Sequence, residues 1–148
     1  FEVWSTHANN PNFPETLRRK TEKNFLAVDF LHFDTYDLLE AGFNSIDIAY
    51  FGGTEKQSPE LLKLSEKFPG IIVLTLGSDG SIAFSRGKMF KQNAFEIDKV
   101  IDTTGCGDAF QASFTNEYFR SKNIEKALLE GASAGREAAE SFGGVPWL

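Results

Sequence analysis

Two kinds of apolar spacing alternate along this chain. Short, nearly continuous apolar runs occupy Phe25–Phe30, Ser45–Phe51 and Ile71–Leu76, and such runs between polar segments predict strands buried on both faces. Phe1–Trp4 predicts a further, shorter strand. Between them, Glu15–Lys23 predicts a polar helix. Asp34 is placed to cap a short helix that runs to Ala41 and stops at Gly42, because an Asp side chain accepts from first-turn amides and a glycine closes a helix freely. Ser58 and Pro59 open another helix, with Leu61, Leu64 and Phe68 on one side.

Strands that alternate with helices imply parallel crossovers. The expected fold class is therefore α/β: a doubly wound, mostly parallel sheet with helices on both faces. From Gly80 the pattern changes. Ser81–Phe84, the turn Arg86-Gly87-Lys88 and Met89–Lys91 predict a hairpin of edge strands, with Gly77–Gly80 as the bend leading into it. Met89 and the many phenylalanines read as core. Farther on, Phe110, Phe114 and Tyr118 recur every four residues with Ala109 and Ala112 between them, which predicts a helix from Asp108 to Ser121. A last helix, Ile124–Phe142, would turn Ile124, Ala127, Leu128, Gly131, Ala134 and Ala138 inward. No repeat, low-complexity tract or linker interrupts the chain.

Composition narrows the class. With 41% hydrophobic and 24% charged residues, the 148-residue chain reads as a soluble globular domain, one that buries roughly 70% of its unfolded surface. Its 15 phenylalanines suit a sheet that packs against more strands than this stretch carries, so some apolar surface is expected to be exposed when it stands alone. A net charge of −6 excludes binding along a nucleic-acid backbone, which needs a basic face. Arg18-Arg19-Lys20 reads as a solvated helix end. No apolar run approaches the roughly 18 residues of a membrane span, so no membrane partner is expected. A single cysteine forms no internal disulfide, which fits a reducing cytoplasm.

The chemistry concentrates in Asp102-Thr103-Thr104-Gly105-Cys106-Gly107-Asp108-Ala109-Phe110. A helix start offers unpaired N–H groups and a positive dipole end, and Gly105 and Gly107 let a phosphate approach that backbone. The turn is thus a candidate anion cradle. Asp108 stands in the first turn, where a negative charge is favoured, and can take the proton of a hydroxyl held within hydrogen-bond reach. A helix cap is its plainer role. Cradle and base together point to phosphoryl transfer to an alcohol. Cys106 contributes only its backbone, since no base stands near it in sequence. The spacing is neither a dinucleotide fingerprint, because Phe110 stands where a third glycine would, nor a Walker A loop. His7 and His32 belong to no zinc or hydrolase spacing. His32 reads as an ordinary histidine, whereas His7 and Asp29 end strands and are candidate substrate contacts or strand-end caps. Ligands of such sheets bind beyond the carboxyl ends of the strands, where both glycine turns are expected to lie.

The stretch Asp102–Phe110 also resembles the Asp-Thr-Thr-Gly-Ala-Gly-Asp-Ala-Phe signature of the ribokinase-like, or PfkB, carbohydrate kinases, with Cys106 where alanine or glycine is usual. Val73–Ser81 is similar to that family's strand and turn beside the ATP site. The last helix with Ser141–Trp147 resembles its closing segment, notably in the fructoselysine 6-kinase branch. The resemblance implies ATP-dependent transfer of a γ-phosphoryl group to a sugar or sugar-amine hydroxyl. A nucleoside kinase remains open, as does a noncatalytic nucleotide-binding module.

By the same resemblance, Thr75, Gly77, Ser78, Gly80, Gly105 and Gly107 would bind the nucleotide. Gly105, Cys106, Gly107 and Asp108 would form the catalytic turn. Asp102 and the Thr104 carbonyl would hold a monovalent cation such as K+, although Asp102 could equally tie down the turn. The family's Asn-x-x-Glu, tied to magnesium and phosphate positioning, aligns with Gly52 and Glu55: the glutamate is retained, to act on Mg2+ through water, and the asparagine is lost. The likeness covers essentially the whole chain as the C-terminal half of a family member. With its first residue Phe1, the chain is expected to be part of a longer kinase, without the sugar-contacting segment and β lid, and a homodimer of the intact protein stays open.

Overall fold

The computed structural model describes residues 2–32 and 36–144. Six strands, β1 (Glu2–His7), β2 (Asn24–Asp29), β3 (Ile48–Gly52), β4 (Ile71–Thr75), β5 (Ser81–Ser85) and β6 (Lys88–Gln92), form one sheet in sequence order. Five helices are α1 (Phe13–Arg19), α2 (Asp37–Ala41), α3 (Ser58–Ser65), α4 (Cys106–Ser121) and α5 (Ile124–Ala139), and short 3-10 turns occur at Glu55–Gln57, Gly77–Asp79 and Phe142–Gly144. β1 to β4 pair in parallel, His7 level with Asp29 and Gly52 level with Thr75. Consecutive residues of β2 through β5 are buried, so both faces of these strands are covered, as their unbroken apolar runs require.

The chain divides into two compact units, Phe1–Leu76 with Ala83–Met89, and Gly77–Ile82 with Phe90–Leu148. In the first, Leu26, Val28, Ile48, Ala49, Ile72, Val73 and Leu74 are fully buried. Phe30 stacks on Phe51 at 4.9 Å between ring centres, and Phe13 and Tyr36 meet these rings edge-on. In the second, α4 and α5 form a helical hairpin closed by Lys122, which is left-handed (φ 55°), and by Asn123, whose side chain accepts from the Lys126 amide at 2.9 Å. Phe110 and Phe114 of α4 are buried, as are Ala127, Leu128, Gly131 and Ala138 of α5. Gly131 is required by packing, since a Cβ there would stand 2.8 Å from the Phe110 ring. Lys126 pairs with the buried Glu117 at 2.8 Å across the hairpin.

Several boundaries differ from expectation, each for a local reason. α1 starts at Phe13, which is buried, with Pro14 in its first turn, and it ends at Arg19. Lys20 leaves the helix with ψ 131°, and its ammonium pairs with Asp47 at 3.1 Å. Arg18 and Arg19 both pair with Glu15, which accounts for the basic cluster as a surface helix end. β3 begins at Ile48 because the Ser45 and Ile46 amides both bond the Gly42 carbonyl in a turn. Tyr36 precedes α2, and the expected cap Asp34 lies outside the described residues.

The hairpin forms as expected, its two turn residues Arg86 (φ 51°) and Gly87 (φ 70°) both left-handed, which matches the twist of the strands. Of the two hairpin strands only β6 is at a sheet edge, however; β5 is an interior strand with buried residues from Ser81 to Phe84. Met89 is consequently 54% exposed on the edge strand rather than core. α5 stops at Ala139, short of Phe142, which is itself 84% exposed, and Ile124 and Ala134 are half-buried. No described helix is long and apolar enough to cross a membrane. Because Phe114 is fully buried in the helical hairpin, Phe114→Ala is expected to destabilise the fold by about 3–5 kcal/mol, read as a lower urea midpoint with little change in slope.

Candidate active site

The glycine turn is held by one carboxylate. Asp102 accepts from the Thr104 amide through Oδ1 at 2.9 Å and from the Gly143 amide through Oδ2 at 3.1 Å. The tie brings residue 102 to the segment just beyond α5, and the Ile101 amide joins the Ala139 carbonyl at 2.8 Å beside it. These bonds tie the turn down, one of the two roles open to Asp102. Gly105 follows with φ 78°, a left-handed conformation that turns the chain into α4.

α4 begins at Cys106, two residues before the expected start, so Gly107 and Asp108 are its second and third residues. Their N–H groups have no carbonyl one turn behind them. The Cys106 amide is already engaged by the Thr103 carbonyl at 3.3 Å, which leaves Gly107 and Asp108 as the first-turn donors. A Cβ on Gly107 would meet nothing within 4 Å, so the space in front of this backbone is open. Asp108 is exposed, and its carboxyl group is not turned into the interior. Burial pushes the Cys106 thiol up, and the nearby Asp102 charge adds to the effect, so the thiol stays protonated and unreactive.

In the bend after β4, Gly77 (φ 63°) has open space beside it, and Ser78 is exposed. Gly80 (φ 97°) is different: a Cβ there would lie 2.2 Å from the Gln92 carbonyl oxygen, so its glycine serves the chain path. Thr75, at the end of β4, donates its hydroxyl to the Phe51 carbonyl at 3.2 Å, and its own carbonyl accepts from Gly53 at 3.0 Å.

The carboxyl ends of β1 to β3 carry a second group of polar residues. His7 Nδ1 lies 3.6 Å from Asp29 Oδ2, with His7 about half exposed and Asp29 mostly covered. The other Asp29 oxygen accepts from the Leu31 amide at 2.7 Å. His32, which sequence reasoning set aside, places Nδ1 2.8 Å from the Gly52 carbonyl oxygen. Nothing in sequence spacing links positions 32 and 52; the signal was a glycine standing where the resembling motif carries a side chain. Glu55 opens the 3-10 turn Glu55–Gln57, exposed, behind a capping box between Thr54 and Gln57. No group of three or more metal-ligating side chains occurs among the described residues. A lone carboxylate still fits Mg2+ that arrives with phosphate, because that ion keeps several waters and takes few protein ligands. A groove of about 430 Å³ lined by Trp4, Thr6, Glu15 and Arg19 contains none of these candidates.

The amides of Thr104, with its hydroxyl, and of Gly143 hold the Asp102 carboxyl below the usual carboxylate range. A value depressed by folding stabilises the tied turn above that ordinary range, and the gain is lost only as pH falls through the depressed value. The Thr104 and Gly143 amides are accordingly expected to keep their hydrogen-exchange protection through the ordinary carboxylate range and to lose it only at pH below that range, whereas Asp102→Ala removes it at every pH.

A model of the pfkB family of carbohydrate kinases matches residues 49–146. The nucleoside kinase of Methanocaldococcus jannaschii is 33% identical over 72 residues, 49% of this chain and 24% of that protein. The fructoselysine 6-kinase of Escherichia coli is 31% identical over 103 residues, 66% of this chain and 38% of that protein. Among solved structures, Arabidopsis thaliana ribokinase complexed with ribose and ATP superposes with a TM-score of 0.77 at 24% identity, over 95% of this chain and 50% of that one. The chain thus spans half or less of the length of these relatives. Since the matched span runs from β3 through the glycine turn and both long helices, the chain belongs to the pfkB family of carbohydrate kinases.

Proposed function

We propose that this chain is the C-terminal, nucleotide-binding portion of an ATP-dependent carbohydrate kinase that phosphorylates a sugar or sugar-amine hydroxyl. The observation that carries the reading is the exposed Asp108 in the first turn of α4, directly after an open glycine backbone. The amides of Gly107 and Asp108 stabilise charge on the transferring phosphoryl group, aided by the positive end of the helix. The acceptor oxygen attacks the γ-phosphorus, the bond to the β,γ-bridging oxygen breaks and ADP leaves, while Asp108 takes the hydroxyl proton.

Thr75, Gly77 and Ser78 are nucleotide contacts in this reading, with Gly80 shaping their bend. His7 and Asp29 contact the acceptor. Glu55 would hold Mg2+ through its hydration shell, and the ion would supply charge neutralisation at the phosphates. Asp102 keeps the turn in shape, and a monovalent cation such as K+ would sit by the Thr104 carbonyl. The likeness to fructoselysine 6-kinase over 66% of the chain favours a sugar-amine acceptor. The likeness to a nucleoside kinase supports a nucleoside as the second reading.

Titration with ATP followed by transfer assays on sugars, sugar amines and nucleosides tests the assignment. Asp108→Asn is expected to lower turnover about 10²- to 10⁴-fold while nucleotide still binds. Undiminished turnover in that variant overturns the base assignment, and binding without any turnover in the unaltered chain favours a noncatalytic module. Gly107→Ala separates fold from function. Alanine is the better helix former by roughly 0.5–1 kcal/mol, so the variant is expected to melt higher yet bind ATP more weakly, its methyl group standing in the phosphate approach.

A further inference from the structure

The two edges of the sheet are built differently. β6 carries Lys88 and Lys91, and charged side chains, lysine above all, are an ordinary means of keeping an edge strand from pairing with another chain. β1, at the opposite edge, reads Glu2-Val3-Trp4-Ser5-Thr6-His7, with no lysine or proline and no break in its register. Its one acid does not guard it. Glu2 Oε2 accepts from the Trp4 indole and from the Asn24 side chain of β2, both at 3.1 Å, so that charge is held by its own chain.

The backbone of β1 faces outward at every second residue. The Glu2 amide donates to the Lys23 carbonyl at 3.1 Å and the Ala8 amide to the Asp29 carbonyl at 2.8 Å, so the amides of the even-numbered residues turn towards β2. Those of Val3, Ser5 and His7 turn away from it, and among the described residues nothing accepts from them. Beside this edge a groove of about 430 Å³ runs between Trp4 and Thr6 of β1 and the Glu15–Arg19 flank of α1. Arg19, the only base lining it, is paired with Glu15, so no lone charge stands in the groove.

The edge is complementary to itself. Strands related by a two-fold axis run antiparallel, and there the residues that exchange hydrogen bonds face one another directly. One register brings all three outward residues of β1 into such pairs, with Ser5 opposite Ser5 and each Val3 opposite a His7. It also sets Trp4 against Thr6 on both sides of the axis, an aromatic against a β-branched residue at the closer, non-hydrogen-bonded spacing that stabilises sheets. Glu2 then faces Ala8, so no charge meets its like. We propose that the outer edge of β1 is the docking surface for a second copy of this chain, joined antiparallel about a two-fold axis at Ser5, with the Trp4–Thr6 pairs filling the groove. The inference goes beyond the kinase reading and does not depend on it.

Sedimentation equilibrium and amide exchange of the 148-residue chain test it. A dimer is expected, in which the Val3, Ser5 and His7 amides exchange more slowly as concentration rises. Ser5→Pro removes an outward donor while leaving the ladder to β2 its amides, and is expected to abolish the dimer. Val3→Lys, which brings in the kind of charge that β6 carries, is expected to weaken it about tenfold, the scale of two altered cross-strand pairs. With Cys106 replaced by alanine, Ser5→Cys is expected to form a disulfide-linked dimer on oxidation, since the facing Cα atoms of a hydrogen-bonded pair lie about 5.5 Å apart. Val3→Cys, about 14 Å from its counterpart in this register, is expected to stay unlinked. The inference is overturned if the chain is a monomer throughout the accessible concentration range, if both edge variants leave the dimer unchanged, or if Val3→Cys links as readily as Ser5→Cys. A longer form of the polypeptide that sediments as a monomer with the same three amides protected overturns it too, the edge then being filled by its own chain.

Discussion

Both oxygens of Asp102 are committed to backbone amides, and the candidate catalytic turn takes its shape from those two bonds. One bond is local, to Thr104, and fixes the approach to Gly105. The other reaches Gly143, beyond the far end of α5, so the start of one helix and the exit of the next are joined through a single carboxylate. Gly105 then enters α4 in a conformation that most residues resist. Asp108 takes its place in the first turn of α4 from this sequence of constraints, exposed as it is.

Glycines at the two candidate regions differ in what they are for. Gly77 and Gly107 have nothing near the position of a Cβ, and of the two only Gly77, at φ 63°, also needs glycine for its backbone. Gly80 and Gly131 are filled from within, by the Gln92 carbonyl and the Phe110 ring, and so serve the fold. Gly52 belongs to neither group, because what lies on it is the polar ring of His32.

Much of this was readable in the residues. The runs Phe25–Phe30 and Ile71–Leu76 became parallel strands because a continuous apolar run has few other uses, and the four-residue spacing of Phe110, Phe114 and Tyr118 became α4. The glycine turn was readable because its departures from ordinary composition are dense and adjacent. What escaped depends on partners distant in sequence. The end of α1 is set where Lys20 reaches Asp47, the interior place of β5 is set by the order of the sheet, and the exposure of Met89 follows from β6 being outermost. The His32–Gly52 pairing escaped for the same reason, since each residue looks unremarkable until β2 and β3 lie side by side.

The order of the sheet has a consequence for how the chain assembles. Every strand neighbours the one that precedes it along the polypeptide, so no closure has to wait for a segment from the opposite end. Loop entropy grows slowly with separation but must be met before pairing rewards it. Along the described strands, each newly made strand can therefore pair with one that is already present instead of waiting for a distant segment.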